Sequence, residues 1–539
     1  MRRDRALLLA LLVAALVSLP RAWLVARAHS ECYDDEYHLV RGARFFLGTL
    51  RDMAQSDPPL GEALTALPLV LTNRNPAWTG ALYDHSLSPE SALLLVALWR
   101  ACLFLPIAGV AFAWCRSLYG TTAGWMAVGL LLVEPTFAAH TPVAALDMLG
   151  AGGALVGSYL LWRAFERPSW GRILAAASGA AAGMLLKNTT VILPLVAAGF
   201  AILFWVVRPI LAGERPAAIN SALPRRLAVL ACAGLAFLLS LWTLTLFDLG
   251  RPDLPPAWQQ EPTPLLRALD RPLPAGIYIG SLVRANWHAD WGHAAYLFGE
   301  KSAVGWWYYF PVLLAYKMPI GIAVVLGLAL LSLLRLPPRF EEWGLVLPML
   351  LWTGLMLGTR INIGLRHFLP AYGFILLLGA RSVAAGIWTW ARPAAWTALG
   401  AAALHVLSFH PDYLSYLNLP RDRVWLDISD SNLDWGQGLK QARDWIDRHP
   451  QPRGRPIALL YFGDANSPRR VAHYLGARVT LLGGRSPLPA HGLLIASPVW
   501  VAGPFDRDDL YAALRTARPI DIIGHSMLVY DLDSLNKEG

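Results

Sequence analysis

Uninterrupted apolar runs of about 20 residues constrain this chain more than any other feature. At 1.5 Å of rise per residue, such a run crosses the roughly 30 Å hydrocarbon core of a bilayer as one helix. About eleven stretches read this way: near 6–27, 91–115, 122–139, 143–164, 172–188, 189–208, 226–247, 308–334, 343–359, 367–388 and 394–410. Asp147 and Lys187 interrupt those in the middle of the set. Charged residues make up only 15% of the chain and mean hydropathy is +0.42. A soluble protein carries about a quarter charged residues, so lipid is the main solvent expected here. Arg2, Arg3 and Arg5 ahead of an apolar stretch have the outline of a signal peptide, but no small-residue cleavage site follows. The segment is therefore read as an uncleaved first helix.

Charge sets the orientation. With the N-terminus inside, the cytoplasmic loops hold Arg163, Arg167 and Arg172, then Arg208, Arg215, Arg225 and Arg226, then Arg335 and Arg339. That is the positive-inside pattern. It accounts for the net charge of +9 without nucleic acid as a partner. The first outer loop, 28–90, the second, 248–307, and everything after 410 then face the extracytoplasmic, periplasmic side of a plasma (inner) membrane. The expected fold is a polytopic α-helical membrane protein, with a transmembrane domain over 1–410 and a small C-terminal α/β domain over 411–539. Cys32, Cys102, Cys115 and Cys232 have neither metal-site spacing nor a disulfide framework. No long internal repeat is visible.

The first outer loop has its own periodicity. Leu39, Ala43, Phe46 and Leu50 recur at helical spacing and predict an amphipathic helix at the interface. Pro58 and Pro59 are placed to start a second one. In the tail, LDWGQGLKQARDWIDRH (433–449) predicts a helix whose start packs on the membrane domain, and strands are expected at 457–463, 478–482, 492–497 and 526–532.

Chemistry concentrates at ECYDDEYH (31–38), where four carboxylates in six positions abut the end of the first apolar run. Like charges so close repel, which calls for a cation, a proton or a task. A carboxylate at the lipid–water boundary can serve as general base toward a membrane-borne substrate, and its neighbours can hold a divalent cation or tune its protonation. Asp147 in AAHTPVAALDMLGAGG (138–153) is a second acid, expected to face a wet cavity. Arg360 and Arg366 lie in a short loop predicted outside, against the positive-inside trend, and Lys187 and Lys317 lie close to the same face. Several cations opposite several acids suit an anion such as a lipid phosphate. The aromatic stretch GWWYYFP (305–311) reads as an interfacial belt. No phosphate-binding loop, dinucleotide fingerprint or HExxH is present, so an enzyme working outside would need a donor that is already activated.

YDDEYHLVRGARFFL with DPPLGEALTALPL resembles the first-loop pattern of polyprenyl-phosphate-sugar-dependent glycosyltransferases of the membrane C superfamily. That group includes the protein O-mannosyltransferases and the aminoarabinose transferase of lipid A. Its pattern runs Asp-Glu-x-x-His-x-x-x-Gly and then His-Pro-Pro-Leu. Aligned on His38 and Gly42, it places Asp34 on the aspartate and Asp35 on the glutamate, while Asp57 stands where the pattern has histidine. AHTPVAALD resembles the second acidic loop. GEKSAVGWWYYFPVLLAYKMP, INIGLRHFLPAY, HPDYLSYLN and SDSNLDWGQGLKQ are similar to a bacterial branch.

The resemblance implies an inverting transfer of a monosaccharide from a polyprenyl (undecaprenyl-type) phosphate sugar to a protein, lipid or glycan acceptor outside the cytoplasm. Asp34 would be the base, with Asp35 and Glu36 as further catalytic candidates. His38 and Asp147 would position the acceptor or a cation, and Arg360, Arg366, Lys187 and Lys317 would bind the lipid phosphate. No particular cofactor is implied; a divalent cation stays open, with Asp34, Asp35, His38 and Asp147 as candidate ligands. The alternatives are a transporter or flippase for a lipid-linked sugar, and a membrane scaffold with an outer binding domain.

Overall fold

The computed structural model describes residues 2–214, 221, 223–255, 263–452, 454–506 and 508–538. Arg215 and part of the 248–307 loop (256–262) lie outside the described residues. Among the described residues, five helices are long and apolar enough to cross a membrane: Arg5–Ala28, Pro89–Tyr119, Asn188–Leu211, Leu223–Leu244 and Phe340–Leu357. A sixth span is added if Tyr309–Lys317 and Ile320–Leu334, bent by 113° at Met318–Pro319, count as one.

That number falls short of the eleven apolar stretches, because several of them are built from short pieces. Proline is one cause. The run at 122–139 forms α5 (Thr121–Val133) and α6 (Pro135–His140), separated where Pro135 lacks an amide hydrogen. The Glu134 side chain caps the restart by accepting the Phe137 amide at 2.7 Å. The run at 367–388 likewise stops as helix at Gly379. Broken helices survive at membrane depth when protein surrounds them, and α5 and α6 are largely buried.

The long helices α1 (Arg2–Ala28) and α4 (Pro89–Tyr119) pack on each other, as do α7 (Asp147–Glu166) and α8 (Trp170–Met184). Small residues allow the second approach: a Cβ on Gly153 would stand 3.0 Å from Gly183 Cα. The first outer loop supplies α2 (Asp35–Leu47) and α3 (Pro59–Thr72), the latter with Pro59 at its first position. Leu39 and Ala43 are fully buried against Ala66 and Leu69, so α2 is docked on α3, leaving Phe46 and Leu47 exposed. Gly42 permits this, since a Cβ there would meet the Glu62 carbonyl and come within 2.7 Å of Ala66 Cβ.

After residue 410 the chain builds a five-stranded sheet in the order Thr480–Leu481, Ile457–Leu460, Leu493–Ala496, Met527–Asp531, Asp521–Ile523. The first three strands are parallel, and Met527–Asp531 runs antiparallel to both neighbours. Helices Leu439–Arg448 and Ser467–Leu475 cover one face through Trp445, Val471 and Tyr474. The tail joins the first outer loop through backbone bonds from Ser30 to Gln437 (3.0 Å) and from Tyr33 to Trp435 (2.8 Å).

Candidate active site

The acidic cluster does not act as a unit. Successive residues entering a helix point about 100° apart, so the carboxylates at the start of α2 scatter to different surroundings. Glu31 turns toward the tail: it is fully buried, ion-paired to Arg470 at 2.9 Å, and accepts from the hydroxyls of Tyr474 (3.0 Å) and Tyr83. Its role is docking.

Asp35, expected to be catalytic or a cation ligand, is a brace. It is buried, is not among the residues lining the large cavity, and accepts the amides of Cys32 and Ala144, both at 2.8 Å. Burial pushes its carboxyl up from 3.8 to about 6, against the two amides and Arg100. A raised carboxyl means the fold holds the proton more tightly than the unfolded chain does. The stability it contributes is full below about pH 4 and is lost as pH rises through about 6. Asp35→Asn should therefore flatten the decline in thermal midpoint between about pH 4 and 6; an unchanged slope would contradict this assignment.

Asp34 faces the open. Its side chain is 28% exposed and lines a cavity of about 1300 Å³ together with Glu36, Asp57, Lys187, Arg360 and His367. Arg366 approaches Asp34 Oδ2 at 3.3 Å and Asp147 Oδ2 at 3.5 Å from the same nitrogen, Nη1. Asp147, 1% exposed, also pairs with Lys187. The result is an alternating row: Asp34, Arg366, Asp147, Lys187. Arg366 is fixed further by Ser431, which accepts from Nε at 3.0 Å, and by Trp435, whose ring centroid lies 3.9 Å from the guanidinium carbon. Burial works against the Arg366 charge, but Asp147 and Asp34 outweigh it and leave the guanidinium more firmly protonated than usual.

The loop before Asp147 is held by Arg100. That fully buried side chain donates to the carbonyls of Thr141 (3.2 Å) and Ala145 (2.7 Å), while Asp35 takes the Ala144 amide between them. Asp35 and Arg100 thus position the second acid and touch nothing in the cavity. Glu36 lines the cavity with Oε2 buried and unpartnered, and burial raises its carboxyl despite Arg470.

Two other expectations are corrected. Lys317 does not face the cavity: it is 2% exposed and donates to the carbonyls of Leu414 (2.7 Å), Tyr416 (3.1 Å) and Asn432 (2.6 Å). With all three hydrogens committed it ties the segment after the last helix to the membrane part and has none left for a phosphate. Lys317→Met should lower stability by at least about 3 kcal/mol, one unsatisfied buried acceptor after another, and leave the KM for donor unchanged in any correctly folded fraction. A raised KM at native stability would restore a phosphate role.

The four candidate cation ligands do not converge either. Among the described residues the group with metal-like spacing is His38, Asp57 and Glu62, whose donor atoms lie within 4.8 Å of one another. This group does not fit a divalent cation. Arg41 Nε already holds both Glu62 oxygens, at 2.7 and 2.9 Å, and His38 Nδ1 lies 3.1 Å from Oε1. Burial disfavours the imidazolium, but the Glu62 hydrogen bond and the charges of Asp57 and Glu62 outweigh it and raise His38. Arg41 and His38 therefore already answer Glu62. Transfer is expected to be unchanged by EDTA, and loss of turnover restored by magnesium or manganese would contradict this.

Arg360 is the uncommitted cation. It is exposed at the cavity, donates to the Asp290 carbonyl at 3.1 Å, and makes no ion pair with the described residues. Arg284, also lining the cavity, is held by Asp253 at 2.5 Å. Sequence reasoning missed Ser431, Trp435, His367 and the Asp464–Asn466 stretch of the tail, which lines the same cavity. His367 follows Arg366 directly and leaves Nε2 buried without a partner. The LDWGQ signature carries Trp435, so the conspicuous tail motif forms the platform under Arg366.

Residues 89–224 match the family model described as dolichyl-phosphate-mannose-protein mannosyltransferase. The whole chain has the fold of ArnT from Cupriavidus metallidurans in the apo state, at 12% identity and a TM-score of 0.50, with 99% of each chain covered. The structure of that ArnT bound to undecaprenyl phosphate is also similar, at 13% identity, a TM-score of 0.49 and 98% of each chain. No curated protein is matched by sequence.

Proposed function

We propose that the protein transfers a monosaccharide, with inversion, from a polyprenyl-phosphate sugar to an acceptor hydroxyl or amine on the extracytoplasmic face of the membrane. The observation that carries this reading is one cavity lined by a semi-exposed carboxylate, Asp34, and by an uncommitted guanidinium, Arg360. Its volume of about 1300 Å³ exceeds the roughly 300–1,000 Å³ of a single small-molecule site, giving room for donor headgroup and acceptor together.

Asp34 accepts the acceptor's proton as its oxygen or nitrogen attacks the anomeric carbon. The new bond forms at that carbon while the bond to the phosphate oxygen breaks, and polyprenyl phosphate leaves with the electron pair. Positive charge developing on the sugar ring is stabilised by the carboxylate row, and negative charge on the departing phosphate by Arg360 and Lys187. Arg366 is a positioning residue, since it holds Asp34 against Asp147. The apolar lining of Val191, Leu282, Leu355 and Met356 suits the lipid end of the donor.

The geometry of α7 supports the extracytoplasmic placement of the site in this reading. It begins at Asp147, beside the site, and has Arg163 in its last turn, so the site lies at the end away from Arg163, Arg167 and Arg172, the residues that the positive-inside reading assigns to the cytoplasm. NMR of the transferred sugar in a reconstituted reaction should show an anomeric configuration opposite to that of the donor. Retention would require a covalent glycosyl-enzyme step, which direct displacement excludes.

A further inference from the structure

A second cavity of about 780 Å³ lies between the C-terminal end of helix Ala391–Leu407 and the face of the tail formed by helix Leu439–Arg448 and strand Asp521–Ile523. Its lining has no residue in common with that of the Asp34 cavity. Helix Ala391–Leu407 forms most of the apolar stretch at 394–410. In a multi-pass membrane protein the end of such a stretch is the level of the lipid headgroups.

The acids on the cavity wall are engaged. Asp412 accepts from His29 at 2.8 Å and from Gln441 at 2.7 Å. Asp521 accepts the Trp445 indole at 2.6 Å and the Ile522 amide at 2.8 Å, and Asp444 pairs with Arg443 at 2.9 Å. The guanidiniums are not. Arg421 and Arg448 are both exposed at the cavity, and neither makes an ion pair among the described residues. Arg448 donates Nε to the Asp444 carbonyl at 3.1 Å, which leaves its two terminal nitrogens without a protein partner. Arg421 lies over the Tyr316 ring, 4.0 Å from its centroid, and makes no hydrogen bond among the described residues. His405, His449 and His525 also line the wall and add no negative charge. The unfilled binding capacity is therefore cationic, and a guanidinium grips phosphate oxygens two at a time.

The mouth of the cavity is flanked by aliphatic side chains. Leu419 and Ile522 line it while 47% and 43% exposed, and Ile520, two positions away along the extended chain, is 58% exposed. Leu404, one helical turn before Ser408 of the lining, is 73% exposed. Single exposed aliphatics are ordinary, but several around one basic cavity mark a membrane or ligand surface. A soluble anion would answer the guanidiniums and leave this rim bare. A zwitterionic lipid would cover the rim but bring its own cation to theirs.

We infer that this cavity holds an anionic phospholipid of the surrounding bilayer, its headgroup facing Arg421 and Arg448 and its acyl chains covering Leu404 and the isoleucines. The site is independent of the transfer reaction, so binding alone tests it. The full chain in detergent micelles is titrated with phosphatidylglycerol and with phosphatidylcholine of the same acyl chains, and the tightest-bound lipid is followed by native mass spectrometry. The double variant Arg421→Gln, Arg448→Gln removes both charges at exposed positions, and Ser408→Trp, exposed on the rim, fills the mouth.

The expected result is phosphatidylglycerol held at least about tenfold more tightly than phosphatidylcholine, with that preference lost in both variants and kept in Arg360→Gln. Four outcomes would overturn the inference. One is equal binding of the two lipids. The second is a preference that survives either the double variant or Ser408→Trp. The third is a preference lost in Arg360→Gln, which would place the lipid in the other cavity. The fourth is displacement of the lipid by soluble glycerol 3-phosphate as readily as by phosphatidylglycerol itself, which would mark a site for a free anion.

Discussion

Asp34→Asn is expected to insert and fold as the wild type does while sugar transfer falls by at least about 100-fold, the scale of removing a general base. The amide keeps the size of the side chain and can still reach Arg366, which lies 3.3 Å away. What it cannot do is accept the acceptor's proton. Thermal unfolding and transfer should therefore separate cleanly, with the midpoint held and turnover lost. The parallel substitution Asp35→Asn supplies the contrast: that carboxyl is buried on two backbone amides, so its loss should register in stability first. Near-normal turnover by Asp34→Asn would dismiss Asp34 as the base and shift attention to Glu36, which lines the same cavity.

Arg366→Gln should damage both properties. Arg366 is 8% exposed and its guanidinium faces two carboxylates, one of them in a residue 1% exposed. Removing one partner from buried ions leaves the others uncompensated, a loss of about 3–5 kcal/mol for a fully buried set; the 28% exposure of Asp34 puts the expectation at about 3. Transfer by the folded fraction should fall by at least about 100-fold, because Asp34 loses the group that aims it. Arg366→Lys should rescue neither. A single ammonium cannot reach Asp34, Asp147 and Ser431 together and lie flat on Trp435. Near-native stability and turnover in the lysine variant would show that charge alone is needed there.

Asp34, Asp147, Lys187 and Arg366 were legible in the sequence for one physical reason: each is an ion at the edge of an apolar run, where an ion is costly unless used. The structure brings these four into one row. Roles inside the acidic cluster were not legible. A string of adjacent carboxylates does not reveal where the helix begins, and so which of them the preceding loop turns to Arg470 (Glu31), which the helix start ties to the backbone (Asp35) and which faces the cavity (Asp34). Lys317 misled because a lone cation near a span end looks free, when its three carbonyl partners come from a segment about a hundred residues later. Trp435 and Ser431 follow Asp34 by about 400 residues, and no local pattern announces that the tail returns to floor the site. The division of the apolar runs into helices was not legible, because hydropathy sees apolar length and not the breaks at Pro135 and beyond Gly379.

The most direct measurement is mass spectrometry of the lipid in a reconstituted system containing the protein, a polyprenyl-phosphate sugar and an acceptor fraction. An enzyme with Asp34 and Arg360 in one cavity predicts acceptor-dependent appearance of free polyprenyl phosphate, with the sugar mass added to the acceptor. Donor lipid that stays intact while crossing the bilayer would contradict it and mark a transporter, and donor lipid that neither moves nor reacts across the acceptor fractions would mark a scaffold.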